Sequence, residues 1–182
     1  MKRIALLVLG VTVLTVHVSA QTPGDTIARA LSALPADLRE GAGVIKWKPD
    51  FTYDTLKKST NRLVCYDRSG FPEQQPFSIE CTSVANLDRV AQNLKFEAGG
   101  DKNKTKALLD AAESDGTREK PEYGSVWYHL QGADREHARA HMTIALPGAT
   151  AQSTGLPDNN KQGGVWLMNA GTTTAHLMTP GE

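Results

Sequence analysis

His141-Met142-Thr143-Ile144-Ala145-Leu146, Gly163-Gly164-Val165-Trp166-Leu167-Met168 and Ala175-His176-Leu177-Met178 follow one another within the segment Ala140–Pro180. Each is a short apolar run bounded by glycine- or proline-bearing loops, the pattern of successive strands in one antiparallel sheet. Strand side chains alternate between faces, so His141, Thr143 and Ala145 share a face opposite Met142, Ile144 and Leu146. By the same rule His176 and Met178 lie opposite Ala175 and Leu177.

Upstream, Val44–Lys48 and Phe51–Leu56 read as a hairpin around Pro49-Asp50, and Arg62–Tyr66 and Phe77–Cys81 as two further strands. Tyr123–Leu130 is aromatic and β-prone, whereas Gln131–Arg139 is charged and could hold one helical turn. Three segments have helical spacing. Asp25 is placed to cap a helix with Ile27, Ala28, Leu31 and Leu34 on one face. Thr82 or Ser83 caps the longest, with Ala85, Leu87, Val90, Ala91 and Leu94 on its apolar side. Lys104–Ser114 supplies a third, stopped by Asp115-Gly116. Strands and helices do not alternate regularly, which predicts an α+β fold: a mainly antiparallel sheet with an N-terminal helix and a central helical pair packed on it.

The first twenty residues predict an address. Met1-Lys2-Arg3, the mostly apolar run Ile4–Val18 and the small residues Ser19-Ala20 have the layout of a secretory signal peptide cut after Ala20. Residues 21–182 are then a single α+β domain in the periplasm or outside the cell, with no membrane span after cleavage. This portion carries 18 basic and 20 acidic residues without long blocks of either sign, which argues against a nucleic-acid partner. Its two cysteines, Cys65 and Cys81, form an even pair, expected to be a disulfide in an oxidising compartment.

Candidate chemistry is sparse. His137 and His141 are four apart, but the residues after His141 alternate like a strand, and the His-Glu-x-x-His pattern of helical zinc sites is missing. Asp101-Lys102-Asn103-Lys104-Thr105 starts like a calcium loop, then has Lys106 and Ala112 where glycine and glutamate are needed. No residue set is assigned to a metal, and no cofactor is identified. Ser153-Thr154-Gly155 offers hydroxyls on a loop, without the Gly-x-Ser-x-Gly elbow of a serine nucleophile. His141 and His176, from different strands of one sheet, could together hold a ligand or a proton. The plainer alternative is that each is a satisfied histidine on a half-buried sheet.

Leu63-Val64-Cys65-Tyr66, Cys81, Tyr123-Gly124-Ser125-Val126-Trp127-Tyr128, Ser153-Thr154-Gly155-Leu156-Pro157, Gly164-Val165-Trp166-Leu167-Met168 and Gly171-Thr172 through Ala175-His176-Leu177-Met178 are the pieces that carry a resemblance. With them the chain resembles a family of exported bacterial proteins to which no activity is assigned. Relatives often carry proline after the Gly-Thr pair, where this chain has Thr173. The resemblance implies export, the cysteine pair and one domain; it supplies no reaction and no cofactor.

Two functions follow as expectations. The first is a non-catalytic small-ligand-binding or structural module of the cell envelope, its partner a small molecule or an envelope component. Its contacts would be His176, His141, Trp166, Ser153 and Thr154. The second is a hydrolase or metal-dependent enzyme using His176 with His141. A second ionisable group beside His176 inside a concave pocket would separate the two.

Overall fold

The computed structural model describes residues 22–179; the expected signal peptide, residues 1–20, lies outside them. Helix α1 (Pro23–Ala30) starts earlier than a cap at Asp25 would allow. Thr22 is the N-cap: its hydroxyl accepts from the Asp25 N–H, and the Asp25 carboxylate accepts in return from the Thr22 N–H. Pro23 suits the first helical position because an N–H there has no intrahelical acceptor. After a 3-10 turn over Leu31–Ala33, α2 (Ala36–Arg39) adds a single turn.

Strands β1 (Gly43–Trp47), β2 (Tyr53–Lys57), β3 (Leu63–Asp67) and β4 (Phe77–Ser83) come next, then helices α3 (Leu87–Glu97) and α4 (Lys102–Asp115). Strands β5 (Val126–Gly132) and β6 (Arg139–Ala145), the one-turn helix α5 (Ala151–Thr154), and strands β7 (Trp166–Met168) and β8 (His176–Met178) complete the described chain. The eight strands form one sheet in the order β2-β1-β3-β4-β5-β6-β8-β7. Neighbours are antiparallel except β1 and β3, which run parallel. The fold is α+β, as the sequence predicts.

Both faces of the sheet are used. On one, Val44, Cys65 and Cys81 pack against Ala30, Leu31 and Leu34 of the N-terminal helical segment. On the other, Ile45, Trp47, Val64 and Tyr66 pack against Leu87, Val90 and Leu94 of α3. Burying each of these aliphatic side chains contributes about 1.5–3 kcal/mol. Helix α4 lies beside α3, capped by the Asp101 carboxylate and ended by Gly116 in the left-handed region at φ 76°. Cys65 and Cys81 are direct cross-strand partners with Cα atoms 4.0 Å apart, and they are joined as a disulfide.

The helical turn expected within Gln131–Arg139 does not form. Strand pairing extends instead to Gln131 opposite Arg139, and Asp134 holds the connecting loop by accepting from the N–H groups of Glu136 and His137. Gly132 permits this close return: a Cβ there would lie 2.7 Å from the His137 carbonyl oxygen and the Ala138 Cα. A smaller cluster of Ala149, Leu167 and Ala175 fixes the last hairpin.

Candidate functional site

One row of side chains crosses the sheet on the α3 side. Tyr66 on β3 is paired with Glu80 on β4, Glu80 with His129 on β5, and His129 with His141 on β6. Directly opposed residues point to the same face, so strand register alone brings these four together. Glu80 accepts from the Tyr66 hydroxyl at 3.1 Å and from Arg68 Nη1 at 2.9 Å, and His129 Nδ1 lies 3.5 Å from its Oε1. Arg68 also donates to Glu97, which accepts from Gln74 Nε2 at 3.0 Å. Arg68 and Glu80 are both buried, so each carboxylate hydrogen bond here is charge-assisted and shielded from water. Burial works to raise the Glu80 carboxyl, but Arg68 and His129 outweigh it and hold it at about 2. Burial, and then the Glu80 charge, push the Tyr66 phenol well above its ordinary range.

The histidines continue the row. The rings of His129 and His141 stack with centroids 4.7 Å apart and an interplanar angle of 16°. His141 Nε2 is buried and has no hydrogen-bond partner among the described residues. Burial, and then the neighbouring His129 and His176, lower its pKa below the ordinary histidine value. His176 sits on β8 opposite Ala145, not opposite His141, so the two share a face without being cross-strand partners. Its Nδ1 lies 2.7 Å from the Thr174 carbonyl oxygen, which can only accept. Nδ1 therefore carries the proton, and the neutral ring keeps its lone pair on Nε2. Burial lowers the His176 pKa against the opposing pull of that Thr174 bond.

These groups line a cleft of about 630 Å³ between the α3–α4 pair and the face formed by β5, β6 and β8. The loop between β7 and β8 contributes Asn169, Thr172 and Thr174 to the lining, turning through Asn169 at φ 53° and Gly171 at φ 81°. That loop is clamped to α4: Glu113 accepts from the Thr173 N–H at 2.5 Å and from its hydroxyl at 2.6 Å. Burial opposes ionisation of Glu113, but these bonds, with Arg89 and Arg118, leave its pKa below the usual carboxylate value. Arg89, from α3, donates to the Glu119 carbonyl and to Thr174 Oγ1, the latter at 3.1 Å. Burial, and then Arg118, pull its pKa down to about 10.

Of the residues singled out from the sequence, His141 and His176 line this cleft. Trp166 lies on the edge strand β7 opposite Met178, half-buried and outside the cleft lining. Ser153 and Thr154 are on α5 and also lie outside it. The Ser153 hydroxyl exchanges hydrogen bonds with Thr150, and the Thr154 hydroxyl donates to the Thr150 carbonyl. Their chemistry is spent on capping one helical turn. His137 is exposed in the β5–β6 loop and bonded to Asp134. Among the described residues, no three His, Cys, Asp or Glu side chains gather as a metal-ligand set.

Sequence reading missed Glu80, His129, Arg68, Arg89 and Arg118. A signal existed for Glu80, a lone carboxylate inside the β-prone run Phe77–Cys81. For Arg89 the signal was its place beside Val90, within a helix whose buried face includes both. The chain matches no protein-family model, no curated protein and no solved structure.

Proposed function

We propose that this protein is a small-molecule-binding module of the cell envelope, with its ligand held in the cleft between the α3–α4 pair and strands β5, β6 and β8. The observation that carries this reading is the convergence of three histidines and three buried arginines, Arg68, Arg89 and Arg118, on a single concavity of about 630 Å³. That volume is typical of small-ligand pockets. Trp127, Leu109, Met168 and Met178 supply apolar wall, while His176 and Thr174 offer polar contacts. Export is supported by the signal-like first twenty residues and by the Cys65–Cys81 bridge, which suits an oxidising compartment.

The test is an NMR screen of the purified protein against a library of uncharged and charged fragments, read on backbone amides. Saturable shifts clustered on Thr143, Thr174 and His176, and weakened by His176→Ala, are the expected result. Shifts scattered over the surface, or confined to the exposed edge strand β2, would remove the assignment.

One contact favours a second reading, an enzyme working by general acid–base catalysis. A buried carboxylate beside a cleft histidine, as Glu80 is beside His129, orients the ring and leaves its second nitrogen for proton transfer. The lining includes threonines but neither serine nor cysteine, so water would be the nucleophile. Turnover of an ester or phosphoester panel that disappears in His129→Gln, with fragment binding retained, would establish catalysis.

A further inference from the structure

Buried guanidinium groups ordinarily have carboxylate partners, because an uncompensated buried charge is costly. Arg68 satisfies that rule with two, Glu80 and Glu97. Arg89 and Arg118 do not. Both are as buried as Arg68, at 5% exposure each, and among the described residues neither has a carboxylate within ion-pair distance. Arg89 donates to a carbonyl and a hydroxyl; Arg118 donates to the side-chain oxygens of Gln92 and Asn93, and its Nε has no partner. Glu113 and Glu119 act on both, and Glu97 on Arg118, only from beyond ion-pair distance; both Glu113 carboxylate oxygens are engaged by Thr173, and Glu97 is paired with Arg68. The two cations therefore line the same cleft and repel each other, with Arg89 on the Thr174 hydroxyl and Arg118 on Gln92 and Asn93.

We infer that the ligand of this cleft is an organic oxyanion, a carboxylate or phosphate monoester whose head lies between Arg89 and Arg118 and whose apolar body lies along Trp127 and Met178. The inference rests on the cleft being the binding site, and it adds the charge of what binds there. An oxyanion supplies what both arginines lack, and guanidinium groups match its geometry with paired N–H donors. The apolar wall gives the remainder of such a molecule a surface that inorganic phosphate could not use.

The experiment titrates the purified full chain with benzoate, phenyl phosphate, inorganic phosphate and the uncharged isostere benzamide, read on the amides of Thr174 and His176 and on the histidine rings. Benzoate or phenyl phosphate should bind saturably in the cleft, more tightly than inorganic phosphate and at least about tenfold more tightly than benzamide. Comparing the two anions decides between a carboxylate and a phosphate head. Arg89→Gln and Arg118→Gln should each weaken the preferred anion about ten- to a hundredfold, and Arg89→Lys less. If either variant fails to fold, the benzoate-to-benzamide ratio of the unaltered protein decides for or against the oxyanion. Benzamide binding as well as benzoate, or uncharged fragments occupying the cleft while every anion stays out, would overturn the oxyanion and leave the cleft as a binding site. No shift in the cleft from any anion or any uncharged fragment would overturn both.

Discussion

Glu80 ties together more of the candidate site than any other single side chain, since Tyr66, Arg68 and His129 all converge on it. Replacing it with glutamine keeps the volume but removes the charge from a buried pair, a change that costs about 3–5 kcal/mol and is measurable by urea unfolding. The same carboxylate predicts an acid response. Its folded-state pKa of about 2 lies below the ordinary value of 4.5, so the unfolded chain binds the extra proton between those values. The Glu80 contribution, about 3 kcal/mol, is therefore complete above pH 4.5 and lost as pH falls toward 2. Glu97, which burial and the Glu80 charge raise despite Arg68, works in the opposite sense, so the difference between the native protein and Glu80→Gln across that window reports Glu80 together with its coupling to Glu97. His141 and His176 are both depressed, so each should stay neutral through pH 7 and stability should fall as pH drops through the ordinary histidine range near 6.5. Imidazole ¹⁵N shifts should show His176 protonated on Nδ1; a ring carrying its proton on Nε2 would contradict the Thr174 contact. The sequence disclosed His141 and His176 because histidines on apolar strands stand out. It did not disclose the pairing of Glu80 with His129, which depends on a register between β4 and β5 separated by two helices.

At the scale of elements, the β5–β6 hairpin sets the site, because its register stacks His129 on His141. Gly132→Ala would drive a Cβ to within 2.7 Å of the returning backbone. The expected outcome is about 1–3 kcal/mol of destabilisation, with perturbed His129 and His141 ring shifts while the Cys65–Cys81 half of the sheet is unchanged. A fully native spectrum would mean that the loop relaxes without moving the hairpin. The disulfide links β3 to β4 across a separation of 16 residues, and replacing both cysteines with alanine should cost roughly 3 kcal/mol, read as a lower urea midpoint. Most of these elements were legible: the stop at Gly116, the paired cysteine strands and the three C-terminal strands all carry local signals, whereas Ser83, expected to cap the longest helix, caps a 3-10 turn over Val84–Asn86 that leads into α3. The start of α1 and the extension of the β5–β6 hairpin were not. A capping box at Thr22 and a glycine that admits a backbone at close range both depend on contacts that periodicity does not encode.

For the molecule as a whole, the arrangement that matters is the division of the sheet into two differently covered faces. The N-terminal helical segment seals one face of β1, β3 and β4, while α3 and α4 cover the other side and leave the cleft over β5, β6 and β8. The α+β class followed from the irregular order of strands and helices, but the parallel β1–β3 pair and the placement of α4 along the cleft did not, since both are set by long-range packing. Crystallographic fragment screening tests most directly whether that cleft is where the protein works. Bound fragments should accumulate between α4 and β8, in contact with His176 and Thr174. A screen in which fragments settle reproducibly elsewhere, with the cleft never occupied, would contradict the account.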